Sequence, residues 1–443
     1  MTLEIKQTVQ AEIRGDKLTV KRKLGEGSQG EVFLVQGLNG DMALKWYNTH
    51  FSTKDQKNAI KSLVDIGPPK NSAGKRFVWP LDIVTVDHSK QFGYLMPLVD
   101  TKIYAQLGEV QSGKTKQPNA KTLCEIGYQL ANSYRALHLT GCCYRDISGG
   151  NLMFNPATGD VLICDNDNVG VNGQSSCQVL GTMEYMAPEI IMGMAAPSTD
   201  TDLYSLSILL FNIWMWHHPM HGDYECSIHV WDLPAKKKIY GENPLFIFDP
   251  LNSSNRPNAP EYKTVRKRWQ FCPNALKQIF IRSFTDGLKE PGKRVTEGEW
   301  QSLFLQLQNG ILQCQECHAE NIWDETAVAL KCWHCGKELI IPPKLLIKTS
   351  RGNNKVLLAH QMNLHSQHID PFCNLDETEK KLLADLVQHP NDRSIWGLRN
   401  LTNQSWAAVF PDGSRKEVPP KRSVPLNIGA KINIQGVETE IIR

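Results

Sequence analysis

Three short segments carry the residue types that phosphoryl transfer requires, in a fixed order. Residues 144–151 read YRDISGGN and set Asp146 and Asn151 five positions apart in a loop. Residues 161–167 read VLICDND and bring Asp165 to the end of a short apolar run. A GTMEYMAPE segment begins at Gly181. A carboxylate such as Asp146 can accept a bond from a hydroxyl and aim it in line. Asn151 and Asp165 offer oxygen ligands to a divalent cation, Mg2+ or Mn2+, that bridges phosphates. A lone Asp in a turn is ordinarily a cap or a solvated residue. The order and spacing of the pieces give them their meaning.

A phosphate-binding end precedes them. The stretch 17–47 alternates apolar residues around a Gly25-Glu26-Gly27-Ser28-Gln29-Gly30 turn followed by Val32, which predicts strand, turn and return strand. Glycines at 25, 27 and 30 let backbone N–H groups approach phosphate oxygens with no Cβ in the way. In a dinucleotide fold such a turn opens a helix; here EVFLVQG follows, a strand, then a hairpin turn at 38–41. Lys45, in MALKWY, sits at an alternating strand position from which it can point inward to two phosphates. A helix is expected over 53–66, with Ala59, Ile60, Leu63 and Val64 on its core side and Gly67-Pro68-Pro69 ending it. Its only acids, Asp55 and Asp65, are not spaced to hold Lys45, so that partner stays unassigned. Residues 77–99 read as two strands and a polar turn. Met96-Pro97-Leu98-Val99 falls where a hinge would lie, with main-chain groups beside Pro97 for an adenine or, alternatively, as an ordinary edge strand. The stretch 121–139 has helical spacing and delivers the chain to YRDISGGN.

The ordered set resembles a eukaryotic-type serine/threonine protein kinase of a bacterial branch, over about residues 18–305. The resemblance implies an α+β, bilobal protein kinase fold, with an N-lobe over 1–99 and a C-lobe over 100–305. It implies ATP held by Gly25, Gly27, Gly30, Val32, Lys45, Met96 and Leu98. It makes Asp146 the catalytic Asp, with Lys45, Asn151 and Asp165 as its partners, and Asn151 and Asp165 the Mg2+ ligands. Ala187-Pro188-Glu189 closes the activation segment. Asp202 resembles the buried helix Asp that steadies the catalytic loop, and Arg294 the Arg that pairs with Glu189. Thr182 resembles the position that helps place the catalytic Asp. The chain departs from the family where the usual His is Tyr144, the usual Lys is Ser148, and Asp-Phe-Gly is Asp165-Asn166-Asp167. Asp167 reads either as a second metal ligand or as a turn residue. Ser175 and Ser176 read as autophosphorylation sites whose phosphate Arg145 could meet, or as ordinary polar loop residues.

Cys314/Cys317 and Cys332/Cys335 form two CxxC pairs with 14 residues between them. Four thiolates complete a tetrahedron with no open position, which predicts a structural Zn2+ rather than a catalytic one. Iron is chemically possible in the same set, and His318 and His334 stand beside the ligands. The segment 311–340 resembles a small zinc ribbon, a stiff joint or docking surface. Residues 341–443 are short strand-like runs split by Asn, Gly and Pro, which predicts a β-sandwich. The pattern is loosely similar to a forkhead-associated domain, with Ser366 and His368 near its Ser-x-x-His element. A helical stretch at 376–388 and the lack of a Gly-Arg pair depart from it.

The 443 residues suit two or three domains. Apolar content of 41% and charged content of 21% mark a globular chain, and a net charge of +3 calls for no nucleic acid or membrane surface. The N-terminus has no apolar signal core, and the run at 203–216 reads as a buried helix. Twelve cysteines, four of them in CxxC pairs, fit a reducing cytoplasm rather than a disulfide framework. The expected function is ATP-dependent phosphorylation of a protein Ser or Thr, with a matching phosphatase as a family expectation. A scaffold with a degenerate kinase site and a kinase-like enzyme for a small molecule are the alternatives. Ser148 favours the latter; the APE segment, Asp202 and Arg294 oppose it.

Overall fold

The computed structural model describes residues 2–38, 40–173, 181–326, 330–349, 352–359, 362–369 and 381–443. The first lobe is a closed antiparallel barrel. Its strands are β1 (Thr8–Ala11), β2 (Lys17–Glu26), β3 (Gly30–Gly37), β4 (Gly40–Tyr47), β5 (Asp82–Thr85) and β6 (Phe92–Met96), in the order β1-β2-β3-β4-β6-β5. Strand periodicity explains its two faces. Leu44 and Trp46 of β4 join the barrel core with Val20, Phe33 and Val35. Ala43 and Tyr47 face the other way, into the core that continues towards the second lobe. Lys45 shares their alternation, so its buried position follows from register.

Helix α1 (Lys54–Ile66) packs beside the barrel. Thr53 caps it, its hydroxyl accepting from Gln56 N–H. Gly67 ends it with φ of 72°, a conformation that favours glycine. Ile60 and Leu63 are buried, Val64 is partly buried, and Ala59 is exposed rather than core-facing. The expected pair of strands over 77–99 is β5 and β6.

The second lobe is mostly helical around α2 (Ala120–His138), α3 (Thr199–Met215), α4 (Asn274–Phe284) and α5 (Glu297–Asn309). Every residue of α3 from Thr201 to Met215 is buried, as expected of the largely apolar run at 203–216. A two-strand hairpin, β7 (Leu152–Phe154) and β8 (Val161–Ile163), pairs Leu152 with Ile163. Among the described residues no helix is long and apolar enough to cross a membrane.

A small cysteine-rich unit follows, opening with the antiparallel pair β9 (Ile311–Gln313) and β10 (Glu320–Ile322). Beyond it lie two antiparallel sheets. Among the described residues one has six strands, within 344–357, 406–418 and 431–442, and the other has four, within 363–365, 382–400 and 423–425. They share one core that includes Leu345, Ile347, Leu364, Leu398, Trp406, Ile432 and Ile441. The described part of the helix expected over 376–388 is not helical. Leu382–His389 is a strand paired with Asp392–Asn400, and residues 376–380 lie outside the described residues. Leu383 and Ala384 are buried in the shared core, so sheet packing overrides a helix-compatible local sequence.

Candidate active site

The hairpin β7–β8 does the first piece of positioning. Asn151 precedes one strand and Cys164-Asp165 follows the other, and Cys164 N–H donates to the Asn151 carbonyl at 2.9 Å. Asn151 and Asp165 therefore leave the same end of one ladder. Asn151 Nδ2 donates to Asp146 Oδ2 at 3.0 Å and to the Asp146 carbonyl at 2.9 Å. This leaves its amide oxygen as an atom that could hold a cation. Thr182 donates to Asp146 Oδ1 through both N–H and hydroxyl, each at 2.8 Å. The chain reaches this position through Gly181, whose φ is 104° and whose Cβ would lie 2.7 Å from the Arg145 carbonyl. Ser175 and Ser176 lie outside the described residues.

The loop bearing Asp146 is fixed from below. Asp202, near the start of α3, accepts from Tyr144 N–H and from Arg145 N–H, the latter at 3.0 Å. His138, at the end of α2, meets Asp202 at 3.0 Å through Nε2 and Glu297 through Nδ1. Burial alone would discharge this imidazole, but bonds and charge from Asp202 and Glu297 hold its pKa at about 9. It is an imidazolium clamped between two carboxylates. Arg145 has φ of 74°; its buried guanidinium donates to the Val171 carbonyl at 3.4 Å and leaves no room for a Cβ on Gly170. Tyr144, which stands where the family has His, donates its hydroxyl to the Cys164 carbonyl. That bond ties the Asp146 loop to the residue before Asp165. Ser148 is buried and adds no charge. Arg294 meets Glu189 at 2.8 Å and bonds the Asp200 carbonyl, closing the segment over α3.

From the barrel, Lys45 reaches the same cleft. Its Nζ lies 2.9 Å from Asp167 Oδ2, 3.3 Å from Asp165 Oδ1 and 3.0 Å from Gln29 Oε1 of the glycine turn. Burial opposes the charge on Lys45, but Asp167 and then Asp165 outweigh it, and the ammonium is held above its usual range. The side chain of Asp165 is 43% exposed and its backbone is left-handed at φ 52°. Desolvation at the cleft wall raises its carboxyl, with Lys45 pulling the other way. Gly30 is required by packing, since a Cβ there would lie 2.2 Å from the Trp46 carbonyl oxygen. A Cβ at Gly25 or Gly27 would meet nothing within 4 Å, so openness rather than packing is what those positions supply. Val32 is partly buried, Met96 is buried and Leu98 is 41% exposed along the barrel edge.

The sequence left open whether Asp167 is a metal ligand or a turn residue. It lies in a short 3-10 turn and is the partner of Lys45. Sequence reasoning also missed Tyr47, His138 and the bonding of Tyr144. The β4 alternation that places Lys45 inward could have flagged Tyr47; His138 carries no motif.

A second constellation lies in the cysteine unit. The sulfurs of Cys314, Cys317, Cys332 and Cys335 all lie within 4.8 Å of one another, and two of the pairs are 3.6 Å apart. Metal–thiolate bonds of ~2.3 Å in a tetrahedron put sulfurs ~3.8 Å apart, so the four fit one ion. Each CxxC knuckle closes with the same backbone bonds, Cys314 N–H to Ala319 and Cys332 N–H to Lys337. His318 and Gly336 take the left-handed position in the two knuckles. Neither His318 nor His334 belongs to the ligand group. In the β-sheet region, His368 is buried and its Nδ1 accepts from His365 N–H at 2.7 Å, while Ser366 Oγ accepts from Lys381 N–H.

Residues 18–266 match the protein kinase domain family. Among curated proteins, the protein kinase gsk3 of Schizosaccharomyces pombe is 26% identical over 143 residues. That alignment covers 30% of this chain and 37% of the relative, so the chain spans little more than a third of the length of the relative it matches.

Proposed function

The chain belongs to the protein kinase domain family, and on that premise we propose that it is an ATP-dependent serine/threonine protein kinase. The observation that carries this reading is the convergence on Asp146: Asn151 and Thr182 fix its carboxylate, while Lys45 and Asp165 meet 3.3 Å apart across the same cleft. In the reaction, Asp146 accepts a bond from the acceptor hydroxyl and aims its oxygen in line with the γ-phosphorus. Thr182 and Asn151 hold the Asp146 carboxylate in one orientation, which turns binding into alignment. Lys45 neutralises phosphate charge as it shifts to the leaving group. Gly25, Gly27 and Gly30 keep the roof of the cleft low, and Val32, Met96 and Leu98 border the adenine. Asn151 and Asp165 are hard oxygen donors suited to Mg2+ or Mn2+, which supplies neutralisation of the phosphate oxygens when bound.

The serine/threonine assignment is supported by Thr182, whose hydroxyl bonds Asp146, and by the Glu189–Arg294 pair that closes the segment after it. The four thiolates would hold zinc, and the two-sheet unit would act in partner selection, as a forkhead-associated-like domain would. A bacterial setting and a cognate phosphatase accompany this reading. A small-molecule kinase is the second reading, favoured by Ser148 alone. Transfer of label from γ-labelled ATP to protein acceptors tests the proposal: label on Ser or Thr, absent with Asp146→Asn, supports it; label found only on small hydroxyl compounds favours the second reading.

A further inference from the structure

In this site the charge that holds the cleft lysine does not come from helix α1. Both acids of α1, Asp55 and Asp65, are exposed. The carboxylate of Asp167 instead has a fully buried side chain and accepts Lys45 Nζ with both oxygens, at 2.9 and 3.2 Å. It also accepts the hydroxyl of Tyr47. Helix α1 reaches this group at one remove, through Gln56 Nε2 donating to the Tyr47 hydroxyl at 3.1 Å. Lys45 and Tyr47 lie two apart on β4, so one strand face presents both donors to one carboxylate.

The neighbouring acid is placed differently. Asp165 is half-exposed at the cleft and bonds Lys45 only at 3.3 Å. The backbone turns left-handed at Asp165 and enters the Asn166–Asn168 turn, which sends Asp165 outward and Asp167 into the protein. Asn166 anchors that turn, its Nδ2 donating to the Ile163 carbonyl at 2.8 Å. Two carboxylates two residues apart thus face two jobs, one buried against the lysine and one presented to the cleft.

We infer that Asp167, oriented by Tyr47, is the positioning residue that holds Lys45, and that it leaves Asp165 free for the cation. This rests on the kinase reading for its catalytic consequence, but not for the pairing itself. Lysine placement in this chain is then set by the loop after β8 and is independent of any acid on α1. Without Asp167, the nearest carboxylate left to Lys45 is Asp165, which would be drawn from the cleft.

The test is a set of full-length variants. Asp167→Asn is expected to lower kcat by about 100-fold or more, and the double variant Asp55→Asn/Asp65→Asn to keep wild-type kcat. A double-mutant cycle of Lys45→Met with Asp167→Asn, read by thermal unfolding without nucleotide or metal, is expected to be strongly non-additive. A metal ligand at 167 would instead give additive Tm losses and a kcat restored by raised Mg2+; that result overturns the inference. So does an Asp167→Asn enzyme within threefold of wild type, or loss of kcat in the α1 double variant. If the wild type transfers no phosphate, the kinase reading fails, and the unfolding cycle still decides the pairing. Should Asp167→Asn not fold, Tyr47→Phe replaces it, with a kcat reduced about 10-fold expected and an unchanged kcat contradicting the claim.

Discussion

His138 and Asp202 form an ion pair of 3.0 Å beneath the loop that carries Asp146. Glu297 holds the other imidazole nitrogen, and Asp202 spends its oxygens on the Tyr144 and Arg145 N–H groups. The pair thus connects the ends of α2 and α3 to the backbone beside the proposed catalytic carboxylate. The imidazole titrates near 6.5 when unfolded and at about 9 when folded. Its stabilisation is therefore complete below pH 6.5 and is lost as pH rises through 9. His138→Gln should cost on the order of 2–3 kcal/mol at pH 6.5 and far less at pH 9.5. Thermal unfolding of both proteins across that range checks it; parallel curves would contradict it.

Thr182 contributes two bonds to one oxygen of Asp146, and only one of them belongs to its side chain. Thr182→Val should lower kcat by about 10-fold or more with little change in the KM for ATP, and Thr182→Ser should stay near wild type. Steady-state kinetics on any acceptor that takes label decides this. A rise in KM with kcat preserved would assign Thr182 to ATP binding instead.

The hydroxyl of Tyr144 is the direct link from the Asp146 loop to the Cys164 carbonyl. Tyr144→Phe keeps the ring, which packs against Tyr134 at 5.5 Å, and leaves the carbonyl unpaired. A loss of about 1–2 kcal/mol is expected, read by denaturant unfolding, with kcat reduced because Asp165 follows that carbonyl.

The cysteine unit is clamped to the helical lobe by two acids. Glu320 accepts from Asn119 Nδ2 and from Lys121 N–H at the start of α2, and Asp324 accepts from Asn274 N–H at the start of α4. Carboxylates at helix N-termini satisfy orphan donors and suit the dipole. Chelation should release one metal ion per chain, measured by mass spectrometry, and lower the Tm of the kinase lobe as well as of the unit itself. Glu320→Gln and Asp324→Asn should each cost about 0.5–1 kcal/mol with metal bound. An unchanged lobe Tm after metal loss would mean the clamp holds without the ion.

What could be read in the sequence was whatever repeats over a short span. The glycine turn, the alternation through Lys45, the apolar run of α3 and the two CxxC pairs are local patterns, and each recurs in the fold. The meeting of Asp146 with Asn151 was also legible, since five residues of one loop separate them. The partner of Lys45 was not, because Asp167 lies 122 positions away, in a different lobe from the helix that follows β4. His138 escaped for the same reason: its partners sit 64 and 159 positions on, in different helices. Leu382–His389 misled in the other direction, since a short apolar run takes its structure from the sheet that covers it.

The most direct test of the account is transfer from γ-labelled ATP with Mg2+ or Mn2+, comparing the full chain with Asp146→Asn and mapping the labelled residue. The account predicts phosphoserine or phosphothreonine on this chain or a protein acceptor, with the rate down by about 1,000-fold or more in the variant. Equal labelling by the two proteins, or tight ATP binding with no transfer to any protein hydroxyl, would contradict it.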